Sequence, residues 1–181
     1  MSRLYMLDTN TVSYIVKGKS PAARAKLASL GADETACLSI VTEFELEFGL
    51  AKNPNAKSLR DSLRWFLARI KVLPLGSAEA RAYGRLRVKQ KAAGRPLESM
   101  DKLIAAHAIA VGAILITGDA VFSHVPDLLG RENWATDLVG TSFRKPDRLI
   151  RIQGYNDGNG GWHGSCAECG GGGFGSTQAE G

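Results

Sequence analysis

Along the first 117 residues, short apolar runs alternate with longer stretches in which apolar residues return every three or four positions. Residues 4–7 form the first run, which ends at Asp8-Thr9-Asn10 and gives way to helical spacing from Thr11 until Gly18 stops it. Pro21 opens a second helix reaching about Leu30, followed by a turn from Gly31 to Glu34. Residues 36–41 read as a buried strand. Thr42 with Glu45 three positions later has the form of a capping box, so the next helix is expected to start at Thr42 and to end near Lys52, ahead of Asn53-Pro54-Asn55. Further helices are expected over residues 57–69, 77–93 and 99–111, the last two closed by Gly94 and Gly112. Short strands are expected over 71–74 and 113–117. The latter is a continuous apolar and β-branched run, as in a strand covered on both faces of a parallel sheet. This alternation predicts an α/β fold.

Beyond Trp134 the pattern fades. Eleven of the 28 residues from 154 to 181 are glycine and none is Val, Ile, Leu or Met, too little apolar surface to offset chain entropy. The expected organisation is one folded domain over residues 1–136 and a Gly-rich, disordered tail over 137–181. With 181 residues and 44% hydrophobic content, the chain can build a core unaided. It has no apolar run near the roughly 18 residues of a membrane span, and no secretory-signal pattern at its start, so a cytoplasmic protein is expected. Its three cysteines, Cys37, Cys166 and Cys169, are an odd set and argue against a disulfide framework. The whole chain has a net charge of +5, and its basic excess lies in residues 1–136, with 19 Lys+Arg against 13 Asp+Glu, which favours a polyanionic partner.

Ligands of open α/β sheets bind outside the C-terminal ends of the strands. Asp8 ends the first strand, Glu43 begins the helix leaving the second, and Asp119 follows residues 113–117. Asp101 starts a helix that runs away from that edge, and the strand after it returns, so Asp101 and Asp119 are expected to be neighbours. Each acid alone has a structural explanation as a cap, a turn residue or a complement to a helix dipole. Four together repel one another unless a cation compensates, and oxygen-only ligation suits Mg²⁺ or Mn²⁺ rather than zinc. Glu45 is accounted for by the capping box and Glu47 by solvent.

Leu-Asp-Thr-Asn at 7–10, Thr-Glu-Phe-Glu-Leu at 42–46, Met-Asp-Lys-Leu-Ile-Ala-Ala-His at 100–107 and Thr-Gly-Asp at 117–119 with Phe122 resemble, in this order, a PIN domain of the VapC toxin kind. The resemblance extends over residues 4–134. It implies a PIN-like three-layer α/β/α fold with a central, mostly parallel sheet. It also implies an endoribonuclease dependent on Mg²⁺ or Mn²⁺, restrained by a small VapB-like antitoxin and acting as a homodimer. On this likeness Asp8, Glu43, Asp101 and Asp119 match the acidic quartet, with Asp8 and Asp101 as primary metal ligands, while Asn10 and Thr117 match supporting polar positions. The chain departs from the pattern at Val121, where many relatives carry a further acid, at Lys102, where an apolar residue is common, and in the tail. Two other functions fit the same resemblance: an RNA-processing nuclease outside toxin biology, and a non-catalytic regulator that binds DNA through a partner.

Three further features flank this reading. Arg81, Arg85, Arg87, Lys89, Lys91 and Arg95 cluster on or just after one helix, as an RNA-gathering surface or simply a solvated face. His107, about 240° around its helix from Asp101, is expected to pack away from the metal. Cys166-Ala-Glu-Cys169 near His163 is at most half of a zinc site.

Overall fold

A computed structural model describes residues 3–94 and 97–135, together with the backbone of 155–156 and 162–163. The first of two compact units, Met1–Ile150, contains a five-stranded sheet. Its elements run β1 (Arg3–Leu7), α1 (Thr9–Val16), α2 (Pro21–Ala28), β2 (Glu34–Ser39), α3 (Ile40–Ala51), α4 (Lys57–Leu67), β3 (Lys71–Leu73), α5 (Ser77–Ala93), α6 (Ser99–Val111), β4 (Ile114–Ile116) and β5 (Arg131–Glu132). A 3₁₀ turn, Ala120–His124, lies between β4 and β5.

The strand order is β3-β2-β1-β4-β5, and every pairing is parallel. Strand periodicity separates the core into two layers. Tyr5, Leu7, Leu38 and Ile116 face one side, where they pack with Val12, Ile15, Leu46, Leu50, Leu63, Phe66 and Trp134 from the helices and the C-terminal edge. Met6, Cys37 and Leu115 face the other, against Ala82 and Leu86 of α5 and Ile104 to Ala106 of α6. The sheet is therefore sandwiched between helices, the three-layer α/β/α arrangement expected from the sequence. Ile104 to Ala108 of α6 are all buried, because that helix lies under α5 as well as on the sheet. Gly112, at φ 65°, supplies the left-handed residue that ends α6 and turns the chain into β4.

Two sequence expectations change. Helix α3 starts at Ile40, not Thr42: Ser39 is its N-cap and its hydroxyl accepts from the Val41 amide at 3.1 Å. Thr42 consequently lies inside the first turn with a buried hydroxyl that has no partner, and the capping box does not form. Strand β5 is also additional. It holds only two residues, neither apolar, attached to the sheet edge by Leu115 N–H to Gly130 and Thr117 N–H to Glu132.

The expected tail over 137–181 lies outside the described residues, save for Tyr155–Asn156 and Trp162–His163, whose backbones pair antiparallel within the second unit, Arg151–Gly181. The Cys166/Cys169 pair and Arg95 lie outside the described residues as well. Among the described residues no helix is long and apolar enough to cross a membrane.

Candidate active site

β1 is the point from which the chain builds outward in both directions, to β2 and β3 on one side and to β4 and β5 on the other. A crevice opens at such a reversal, because the connections leaving adjacent strands diverge. Asp8 leaves β1 there and Thr117 leaves β4, tied by Asp8 N–H to the Ile116 carbonyl at 3.0 Å.

Asp8 is 3% exposed. Its Oδ1 accepts from the Thr11 amide at 2.6 Å, capping α1, and its Oδ2 accepts from the Thr117 hydroxyl at 2.5 Å. Thr117 Oγ1 in turn accepts from the Asp119 amide at 3.0 Å, and the Thr11 hydroxyl donates to the Ile116 carbonyl at 3.1 Å. One network of short hydrogen bonds thus sets the Asp8 rotamer and the path of the loop after β4. Burial still raises the Asp8 pKa, opposed by the bonds from Thr11 and Thr117 and reinforced by the charge of Asp119.

Asp101 stands half-buried in the first turn of α6. Its pKa is pushed up to about 6, first by burial and then by Glu45, Asp119, Glu98 and Asp8. The charges that act on it most are all negative. Asp119 is exposed and caps the 3₁₀ turn, its Oδ1 accepting from the Val121 amide at 2.9 Å. The position where a fifth acid was looked for thus contributes its backbone to Asp119 instead.

The acid that α3 brings to this cluster is Glu45, which accepts a short hydrogen bond from the Thr9 hydroxyl. Glu43 is half-buried and is not among the charges that act most on Asp8 or Asp101. The cause is helical register. Two residues along an α-helix are about 200° apart, so Glu43 and Glu45 flank the buried stripe of Val41, Thr42, Leu46 and Leu50 from opposite sides. The signal for Glu45 was present in Ser39, a better-placed cap once the strand is ended two residues earlier. Glu98, the exposed N-cap residue of α6, was also overlooked.

His107 is fully buried with Nδ1 2.9 Å from the Ser39 hydroxyl, and burial lowers its pKa, so it is a neutral packing group as expected. Arg81, Arg85, Arg87, Lys89 and Lys91 are exposed along α5, although Lys89 is paired with Asp127 at 2.6 Å.

The PIN domain family model matches residues 5–128. Ribonuclease VapC2 of Rickettsia felis is 31% identical over 132 residues, spanning 72% of this chain and 98% of that protein. The tRNA(fMet)-specific endonuclease VapC of Shigella flexneri is 30% identical over 131 residues, with the same shares covered. The crystal structure of VapBC2 from Rickettsia felis, bound to a DNA fragment from its promoter, superposes with a TM-score of 0.68 at 30% identity, over 72% of this chain and 98% of that one. The chain belongs to the PIN-domain family, among the VapC ribonucleases.

Within this PIN domain the donor set around Asp8 contains oxygen ligands without His or Cys. A buried carboxylate and a second one with a raised pKa, both surrounded by acids, are what a hard cation would relieve. Among the described residues no three His, Cys, Asp or Glu side chains stand close enough together to hold one metal ion.

Proposed function

We propose that this VapC-family chain is a divalent-cation-dependent endoribonuclease, the toxin of a toxin–antitoxin pair, and that residues 1–136 carry the activity. What supports this reading is the end of β1 and β4, where the buried Asp8 is held by Thr117, and the charges of Glu45, Asp119, Glu98 and Asp8 that act together on Asp101. The names of its VapC relatives support RNA as the substrate class.

Mg²⁺, or Mn²⁺ in its place, supplies when bound a Lewis acid for the phosphate and an ionised water at neutral pH. Asp8 and Asp101 are the residues to hold it. Thr11 and Thr117 keep the Asp8 carboxylate oriented, so that little reorganisation is left for the reaction. Asp119 and Glu45 stand at the margins of the cluster, suited to accept protons from water or to hold it in place. We assign the α3 position of the quartet to Glu45 rather than Glu43, on the Thr9 hydrogen bond and the charge it exerts on Asp101. The exposed cations of α5 would gather the RNA backbone through the positive field.

A VapB-like antitoxin is the proposed partner, supported by solved VapBC complexes from Rickettsia felis and Haemophilus influenzae. A groove of about 150 Å³ is lined by Leu46, Leu50, Leu59 and Leu63 together with Glu45, a place where a bound segment could deliver a basic side chain to the acids. Phe44 and Phe48, 59% and 64% exposed on α3, support a homodimer.

The deciding experiment incubates the purified chain with RNA and Mg²⁺ and repeats it with Asp8→Asn and Asp101→Asn. Cleavage by the unaltered chain and its loss in both variants is expected; equal cleavage by all three proteins would overturn the proposal. Sequencing RNA ends after brief induced expression identifies the target in the same system.

A further inference from the structure

On the flank of α1 away from Glu45, a groove of about 270 Å³ runs alongside Asp119. Its walls come from α1, the start of α2, and the segments leaving β4 and β5. Asn10 and Tyr14, one helical turn apart on α1, share its α1 wall, and Tyr14 is 47% exposed. The chain is held around Tyr14 by Gly18, left-handed at φ 67°, and by the Lys19 amide donating to the Tyr14 carbonyl at 2.8 Å. Across the groove, Asn133 Oδ1 accepts from the Ala135 amide at 3.0 Å. The Asn133 carboxamide lies over Gly118: a Cβ at Gly118 would stand 3.4 Å from its Nδ2.

Several polar lining groups are already engaged, the Thr11 hydroxyl with the Ile116 carbonyl, the Ser20 hydroxyl with the Ala23 amide, Asp119 Oδ1 with the Val121 amide and Asn133 Oδ1 with the Ala135 amide, which leaves the exposed Asn10 carboxamide beside Tyr14. Among the described residues, the lining itself has Asp119 as its charged side chain and no cation to seat a phosphate, while Arg131 donates to the Asp119 carbonyl at 3.4 Å. What it offers is a partly exposed aromatic ring facing carboxamides. Aromatic rings stack on bases of any identity, and Asn pairs with base edges through a donor and an acceptor side by side. The volume is near the lower end for small-molecule sites.

We propose that this groove is a nucleobase subsite, in which Tyr14 stacks against one unpaired base of the RNA, flanked by Asn10 and Asn133, while the adjoining phosphate lies over the acidic crevice. The inference rests on the ribonuclease reading above and deepens it. Tyr14 positions substrate here and takes no part in the bond-breaking step. A segment of a protein partner is the other conceivable occupant. The exposed Tyr14 ring with the Asn10 carboxamide one turn before it, a donor and an acceptor side by side, favours a base.

The test compares the unaltered full chain, Tyr14→Ala and Tyr14→Trp. With single-stranded RNA of mixed sequence and Mg²⁺, Tyr14→Ala is expected to raise KM about tenfold, the size of one lost stacking contact, with kcat within about twofold. The distribution of bases beside the cut should flatten, and Tyr14→Trp should restore both KM and preference. Binding is measured in parallel by fluorescence anisotropy of a labelled ten-nucleotide RNA, on proteins also carrying Asp101→Asn. Here Tyr14→Ala should weaken RNA binding about tenfold while leaving unchanged the affinity for a ribose-phosphate strand without bases.

Unchanged RNA affinity in Tyr14→Ala would overturn the subsite, as would equal weakening toward the base-free strand. Loss of antitoxin binding with RNA affinity intact would assign the groove to a protein and overturn it too. Failure of the unaltered chain to cleave any RNA would instead count against the ribonuclease reading, and the anisotropy comparison would still decide on the groove.

Discussion

Glu45→Gln should impair the site and Glu43→Gln should leave it unchanged, although the two residues are separated by a single phenylalanine. Asp101 rises from 3.8 to about 6, with burial as the largest cause and Glu45 as the next. A shift of about two units corresponds to ~3 kcal/mol between the two protonation states, reduced to roughly half by the screening of a half-exposed carboxylate. Removing the Glu45 charge takes away the largest electrostatic part of that rise and lowers the Asp101 pKa. It also withdraws one of the negative charges that attract a cation, and altering such a supporting group typically weakens metal affinity by about 10- to 100-fold. Glutamine still accepts the Thr9 hydroxyl, so the fold should be kept, with a Tm change of no more than about 2 °C. The assay is the rate of RNA cleavage against Mg²⁺ concentration at several pH values, with a thermal melt of each variant. Glu45→Gln should need about 10- to 100-fold more Mg²⁺ for half-maximal rate, and the acid limb of its kcat/KM profile should move to lower pH. Glu43→Gln should match the unaltered chain within about twofold in both respects. If Glu43→Gln raised the Mg²⁺ requirement and Glu45→Gln did not, the register argument for α3 would be refuted.

Three other outcomes are expected. Because the folded-state pKa of Asp101 lies above its ordinary value, the metal-free fold binds a proton more tightly than the unfolded chain between pH 3.8 and about 6. Its contribution to stability is then lost as pH rises through that window, so thermal melts without metal should give a higher Tm at pH 5 than at pH 7, and saturating Mg²⁺ should reverse the order; a Tm at pH 7 unaffected by Mg²⁺ would contradict this. Thr117→Val removes the hydroxyl that donates to Asp8 and accepts from the Asp119 amide, leaving the buried Asp8 Oδ2 and the part-buried Asp119 amide without this partner. It should cost about 2–4 kcal/mol in urea unfolding and lower kcat/KM more than ten-fold, whereas a loss of under ~0.5 kcal/mol would show that the network is not structural. Gly112→Ala places a side chain at φ 65° with open space around it, so it should cost only about 1 kcal/mol, from backbone strain; a larger loss would mean that the end of α6 is held by more than its backbone conformation.

The order of strands and helices through β4 was legible in the sequence because it is written locally. Residues 4–7 and 113–116 are unbroken apolar runs, α5 carries Ala82, Leu86 and Gln90 at four-residue intervals on its buried stripe, and Gly94 and Gly112 stop their helices by a conformation other residues resist. The convergence of Asp8, Asp101 and Asp119 was legible for a related reason: a parallel sheet sends every strand end to the same edge. What the sequence left undecided is where β2 stops. Leu38 pairs with Leu7 and with Val72, and Ser39 is the last residue held by β3. Pairing across three strands, and not any preference of residues 40 and 41, releases the chain into α3 at Ile40. That register turns Glu45 toward the acids and Glu43 to the opposite flank. Strand β5 is decided in the same way, since Arg131 and Glu132 carry no apolar signal and become a strand only because the edge of β4 offers them hydrogen bonds. Periodicity along a chain determines which segments are helices and strands. The phase at which one hands over to the next is a property of the assembled sheet, and in this protein that phase selects which glutamate stands with the acids.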